Sequence, residues 1–318
     1  MEFEVTNEVL LIEPMMPLIE ERLDAAYKVL RLYKSEDSGG AIDAALGTIR
    51  AVVTGGGGTG LSNEWMERLP SLGLIAINGV GTDKVDLAFS RGRNVHVSTT
   101  PGVLTDDVAD TGIALMLAVM RHVVAGDRFV REGRWARREA FSLGISPKGK
   151  RVGVLGLGQI GKSFARRAEA FGMEVHYWNR SPVADTGWVA HATPVELAQQ
   201  SDVLAVCVAA NPATANIVNA DVLAALGNKG YLVNVARGSV VDEDALLEAL
   251  NNGTIAGAGL DVFVNEPTIR ADFLTAPNTV LMPHQGSATV ETRVGMGELV
   301  LANLAAYFSG DVPPTKVN

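Results

Sequence analysis

Apolar residues fall into two series of short runs separated by amphipathic stretches. The first series is VLLIEP (9–14), IRAVVTG (49–55), LIAING (74–79) and NVHVST (94–99). The second is RVGVLGLG (151–158), EVHYWN (174–179), DVLAVCV (202–208), GYLVNV (230–235), IAGAGLDV (255–262) and TVLMPH (279–284). Runs that are apolar throughout, rather than alternating, predict strands buried on both faces, as in a parallel sheet covered by helices. The chain therefore reads as α/β, with two Rossmann-like, doubly wound parallel-sheet domains.

Between the two series, LTDDVADTGIALMLAVMRHVVAGDRFVREGRW (104–135) begins with a Thr-Asp cap and has helical spacing, which predicts one long connecting helix followed by an arm. The last amphipathic helix, SATVETRVGMGELVLANLAAYFSG (287–310), closes at Gly310 before Pro313 and Pro314 and has no strand after it. It must bury its apolar face somewhere, and packing back on the first unit is expected. The expected division is thus 1–100 with 286–318 as a substrate-binding domain, and 101–285 as a dinucleotide-binding domain with a dimerisation arm at about 120–148. Two chain crossings then leave a cleft between the domains.

Composition adds bounds. The apolar fraction of 47% suffices for two cores, and the net charge of −9 offers no attraction to phosphate backbones or anionic lipid. The basic, aromatic stretch RFVREGRWARREAFSLG (128–144) is too short to reverse that expectation. No nucleic acid or membrane partner is expected. The start MEFEVTNEVLLIEP is acidic where a signal peptide is basic, and the longest apolar run, GIALMLAVM, is too short for a bilayer, so a cytoplasmic location is expected. The single cysteine, Cys207, reads as a buried strand residue, and no two of the five histidines have metal-ligand spacing, so no metal is expected.

VGVLGLGQIG carries the first clear chemistry: a strand runs into Gly156, Gly158 and Gly161, and a helix follows. Glycines at this spacing provide a tight turn, close approach of backbone N–H groups to a pyrophosphate, and close helix–strand packing. Where a ribose-binding acid usually ends the next strand, this chain has Asn179, Arg180 and Ser181. Removing the acid removes repulsion of a 2′-phosphate, the guanidinium offers a donor fork and the serine adds a hydroxyl, so NADP is expected over NAD. TGGGGTG (54–60) follows a strand and reads as a loop whose backbone comes close to another group.

NVARGSVVDEDAL (234–246), GAGLDVFVNEP (257–267), LMPHQGSAT (281–289), NGVGTDKVD (78–86) and TTPGVLTDDVAD (99–110), together with the glycine fingerprint, resemble the D-isomer-specific 2-hydroxyacid dehydrogenases over essentially the full chain. The NADP-like features are similar to those of the glyoxylate/hydroxypyruvate and hydroxyphenylpyruvate reductases. The resemblance implies a catalytic trio, here Arg237, Glu266 and His284. It implies cofactor contacts at Gln159, Ile160, Val208, Ala209, Val235, Ala236, Asp261, Gly286 and Ser287, as well as at Arg237 and His284. Thr105 either nears the cofactor or caps its helix. Val80 and Gly81, with Gly55 as a further candidate, are implied to face the substrate. The arm is implied to wrap a partner subunit, giving a homodimer in which Trp135 reaches the partner's active-site entrance.

Those residue types suit the chemistry. Reducing a 2-oxo acid needs a hydride, a proton for the carbonyl oxygen and a cation for the carboxylate. His284 supplies the proton, with Glu266 keeping it charged near neutral pH, and Arg237 bridges the carboxylate and carbonyl oxygen. The expected activity is NADPH-dependent reduction of glyoxylate and hydroxypyruvate to D-2-hydroxy acids. A hydroxyphenylpyruvate-type reductase and a non-enzymatic, NADP(H)-sensing corepressor-like protein remain open. His96, His122, His176 and His191 read as structural or exposed.

Overall fold

A computed structural model describes residues 8–34 and 39–318; the acidic start 1–7 lies outside the described residues. Two compact units emerge, residues 1–104 with 288–318 and residues 105–287.

The first unit is a five-stranded sheet of β1 (Glu8–Leu11), β2 (Lys28–Arg31), β3 (Ile49–Gly55), β4 (Leu74–Asn78) and β5 (His96–Ser98), in the order β2-β1-β3-β4-β5. All pairs are parallel. Leu10, Val52 and Ile75 face one buried cluster, and Val9, Leu11, Val53 and Leu74 the other, as strands apolar on both sides require. The terminal helix Val290–Phe308, capped by Thr289, contributes Val300 and Leu304 to the second cluster. Gly297 admits Ile19 of the helix Pro17–Ala26 where a methyl group would overlap it.

The second unit holds seven parallel strands: β6 (Arg151–Leu155), β7 (Glu174–Trp178), β8 (Val189–Ala190), β9 (Val203–Val206), β10 (Tyr231–Asn234), β11 (Gly257–Leu260) and β12 (Thr279–Leu281), ordered β12-β11-β10-β9-β6-β7-β8. Strand order reverses at β6, so the crevice at its carboxyl end is where a ligand belongs. In the first unit the reversal falls at β1.

Three details depart from the sequence pattern. Edge strands β2 and β8 carry too little apolar signal: KVLR is half-exposed and charged at both ends, and Val189–Ala190 is exposed. The connecting helix is two helices, Thr105–Met120 and Val123–Arg131, bent by 59°. His122 at the break is left-handed with φ +54°, and the returning arm donates its Ile145 N–H to the freed Met120 carbonyl at 2.8 Å. Helical periodicity carries no signal for that long-range hydrogen bond. Cys207 stands one residue beyond β9 and is half-buried rather than a buried strand residue. Among the described residues no single helix is long and apolar enough to cross a membrane.

Candidate active site

At the carboxyl end of β6 the three glycines have distinct surroundings. Gly156 takes φ +99°, and a methyl group there would lie 2.7 Å from the Val208 nitrogen. One at Gly161 would overlap the Gly156 carbonyl. Gly158 differs: nothing lies within 4 Å of where its side chain would be. The fold requires the first and third glycines, whereas the second keeps space open above the helix Gln159–Ala170. The first N–H groups of that helix, including those of Gln159, Ile160 and Gly161, lack intrahelical acceptors and present positive dipole ends to an incoming anion. This open cradle fits a pyrophosphate.

Asn179 does more than replace an acid. Its Oδ1 accepts the Leu157 N–H at 3.1 Å and its Nδ2 donates to the Ser181 carbonyl at 2.8 Å, tying the glycine loop to the end of β7. Arg180 and Ser181 are exposed, and Arg180 has no hydrogen bond or ion pair to the described residues. Thr105 opens its helix, and its hydroxyl donates to Gln159 Oε1 at 3.4 Å. Val208, Val235 and Ala236 are buried, Ala209 is exposed and Ser287 half-buried.

The residues expected to form the trio, Arg237, Glu266 and His284, follow β10, β11 and β12. Glu266 Oε2 meets His284 Nδ1 at 2.6 Å, while Oε1 accepts the Phe263 N–H at 2.7 Å. Burial raises the Glu266 pKa, but hydrogen bonds from His284 and Phe263 and the charges of His284 and Arg237 outweigh it, holding the carboxyl below its usual range. His284 itself takes φ +53°, a conformation costing a non-glycine residue about 1–3 kcal/mol.

Asp261 supplies the compensation. Its carbonyl accepts the His284 N–H at 2.8 Å, and its carboxylate oxygens accept the N–H groups of Gln285 at 2.6 Å and Gly286 at 2.8 Å. Gly286 lets that carboxylate approach, since a methyl group would lie 3.0 Å from Oδ2. Expected as a cofactor contact, Asp261 has both carboxylate oxygens committed to the His284 loop. Burial pushes its pKa up despite the two N–H donors.

Arg237 is held by a second clamp that the sequence reading missed. Asn234, buried at the end of β10, accepts the Ala236 N–H at 3.0 Å and donates to the Arg237 carbonyl at 3.0 Å. A polar residue ending an apolar strand was the available signal. Gly238 then packs on the Phe263–Val264 main chain, where any side chain would overlap, so the Arg237 turn lies against the turn carrying Glu266. Arg237 Nη1 donates to the Ala236 carbonyl at 2.8 Å.

Within the first unit, Gly56 and Gly79 cross main chain to main chain: a methyl at Gly56 would lie 2.8 Å from the Gly79 Cα and 3.4 Å from the Val80 nitrogen. Val80 is 38% exposed, and Gly81 follows it at the carboxyl end of β4. The buried acceptors Asn78 Oδ1 and Thr100 Oγ1 have no hydrogen-bond partner among the described residues. Gly55 packs against the Glu13 carboxylate.

Of the remaining histidines, His176 and His191 form a pair, Nδ1 to Nε2 at 2.8 Å with stacked rings, that no local pattern announced. Among the described residues no cluster of three or more His, Cys, Asp or Glu is arranged to hold a metal ion.

Residues 113–286 match the family model described as D-isomer specific 2-hydroxyacid dehydrogenase, NAD binding domain. The chain is 49% identical to a 2-ketogluconate reductase of Gluconobacter oxydans over 304 residues, covering 95% of this chain and 96% of that one. A dehydrogenase of Rhizobium meliloti of known structure is 63% identical, with a TM-score of 0.78 over 97% of this chain and 100% of that one. The NADPH-dependent glyoxylate/hydroxypyruvate reductase of Sinorhizobium meliloti, crystallised with NADP and malonate, is 42% identical, with a TM-score of 0.92 over 98% of this chain and 97% of that one.

Proposed function

The chain belongs to the D-isomer-specific 2-hydroxyacid dehydrogenase family, and from that premise we propose that it reduces small 2-oxo acids, glyoxylate and hydroxypyruvate foremost, to D-2-hydroxy acids using NADPH. The observation that carries this reading is the His284–Glu266 pair, 2.6 Å apart, braced beside the Arg237 turn.

A bound reduced nicotinamide supplies the hydride. Arg237 holds the substrate carboxylate and draws electron density toward the carbonyl oxygen, which fixes the face presented for reduction. Ionised Glu266 engages Nδ1 of His284, so Nε2 is the ring nitrogen that delivers a proton to the carbonyl oxygen as negative charge grows there. The main-chain N–H groups of Val80 and Gly81, just past β4, are our candidate donors for a substrate carboxylate.

Three observations support NADPH over NADH: the neutral Asn179, the exposed and unpaired Arg180, and the NADP complex of the Sinorhizobium meliloti relative. A homodimer is supported by the apolar side chains left outside on the arm, with Val130 54%, Trp135 71% and Leu143 92% exposed. Trp135 is our candidate for the partner's entrance. A cavity of about 350 Å³ lined by Phe263, Ile269, Leu281, Met282 and His284 favours, as a second reading, an aryl side chain such as that of hydroxyphenylpyruvate.

The test is loss of the reduced-nicotinamide absorbance, with NADPH and NADH in parallel, against glyoxylate, hydroxypyruvate and hydroxyphenylpyruvate. Rapid NADPH oxidation with the first two supports the reading. No oxidation with any 2-oxo acid defeats it.

A further inference from the structure

Glu13 is the second residue beyond β1, the strand at which order reverses in the first sheet. In open α/β sheets such a reversal opens a ligand crevice at the strand's carboxyl end. Ile12 continues the ladder by donating to the Val53 carbonyl at 2.9 Å, which points the chain toward the loop after β3.

That loop is shaped around the acid. A methyl group at Gly55 or at Gly58 would overlap the Glu13 carboxylate, and the Thr59 N–H donates to Oε1. The other oxygen, Oε2, accepts no hydrogen bond from the described residues, and the side chain is half-exposed. Through Gly56, the same loop lies on Gly79 and the Val80 nitrogen. An acceptor with spare lone pairs therefore stands beside the turn that carries the Val80 and Gly81 N–H groups. This group is not needed for hydride transfer, for the proton or for the substrate carboxylate.

We propose that Glu13 is a specificity-determining residue that accepts hydrogen bonds from hydroxyl groups carried beyond the oxo carbon, selecting polyhydroxylated 2-oxo acids and rejecting 2-oxo dicarboxylates. The inference rests on the reading of the chain as a 2-oxo acid reductase. A carboxylate is an acceptor only, which suits the O–H donors of a sugar-acid chain. A second carboxylate on the substrate meets like charge at the same place and has no donor there.

The measurement is kcat/KM with 2-ketogluconate, glyoxylate and 2-oxoglutarate for the wild-type chain, Glu13→Gln and Glu13→Ala. The glutamine keeps the size and an oxygen for the Thr59 N–H while removing the charge. The ratio of 2-ketogluconate to glyoxylate is expected to fall about ten- to hundredfold in both variants, the range of a hydrogen bond to a charged group. The ratio of 2-oxoglutarate to glyoxylate is expected to rise in both. Unchanged ratios, or a parallel loss on all three substrates, make Glu13 a loop clamp only and overturn the inference while leaving the proposed activity intact. A wild-type chain that reduces none of these substrates defeats the underlying reading, and the inference with it.

Discussion

Asp261 and His284 are joined through the main chain, the His284 N–H donating to the Asp261 carbonyl at 2.8 Å while the Asp261 carboxylate binds the two N–H groups that follow. One buried acid thus holds the left-handed backbone at His284, while Glu266 holds the ring. Asp261→Asn retains one acceptor oxygen and leaves one buried N–H facing an amide NH₂, a loss of about 1–3 kcal/mol. A lowered melting temperature together with reduced kcat is expected. Unaltered kcat would show that the His284 ring does not depend on this clamp.

His284→Asn removes the proton donor but preserves a polar side chain of similar reach. Turnover should fall about 10²- to 10⁴-fold, the usual contribution of a positioned acid or base, while NADPH affinity changes little. Steady-state kinetics beside a fluorescence titration of NADPH separates the two. Near-normal kcat would exclude His284 as the donor.

The glycine loop yields a paired comparison. Gly161→Ala forces a methyl group onto the Gly156 carbonyl and should destabilise the chain by about 1–3 kcal/mol, as overpacking does. Gly158→Ala meets no protein atom, so it should melt close to the wild-type temperature yet bind the dinucleotide more weakly. If Gly158→Ala binds NADPH normally, the space above that helix is not the pyrophosphate site.

Arg180→Asp replaces an exposed guanidinium with the acid that favours a ribose hydroxyl. The KM for NADPH should rise at least tenfold more than that for NADH. Equal changes would show that Arg180 does not read the phosphate.

Acid should weaken the second unit through His176. Burial holds its imidazole below the ordinary value, only partly opposed by Glu174. The folded chain then takes up a proton at this position less readily than the unfolded one. Stability present above about pH 6.5, the ordinary histidine value, is lost as pH falls through the folded-state value. Urea unfolding at pH 7.5 and pH 5 should show a smaller acid loss for His176→Asn than for the wild-type chain; equal losses would place the sensitivity elsewhere.

Much of the fold was legible because its signals are local. Strands buried on both faces are written as short apolar runs, and the turn from β6 into its helix demands glycine at two positions five residues apart, Gly156 and Gly161. Arg237, Glu266 and His284 were nominated by the family resemblance of the motifs that carry them. Other features depend on partners remote along the chain. Asp261 reaches Gly286 across 25 positions, Glu13 meets Thr59 across 46, and the break at His122 needs Ile145 to arrive. The sequence by itself determined the two parallel sheets and the glycine turn, since periodicity and turn chemistry act within a few residues, and its motifs nominated Arg237, Glu266 and His284 through their family resemblance. Only the tertiary structure decided which N–H each carboxylate holds, because a buried acceptor takes whichever donors the packed strand ends bring within 3 Å.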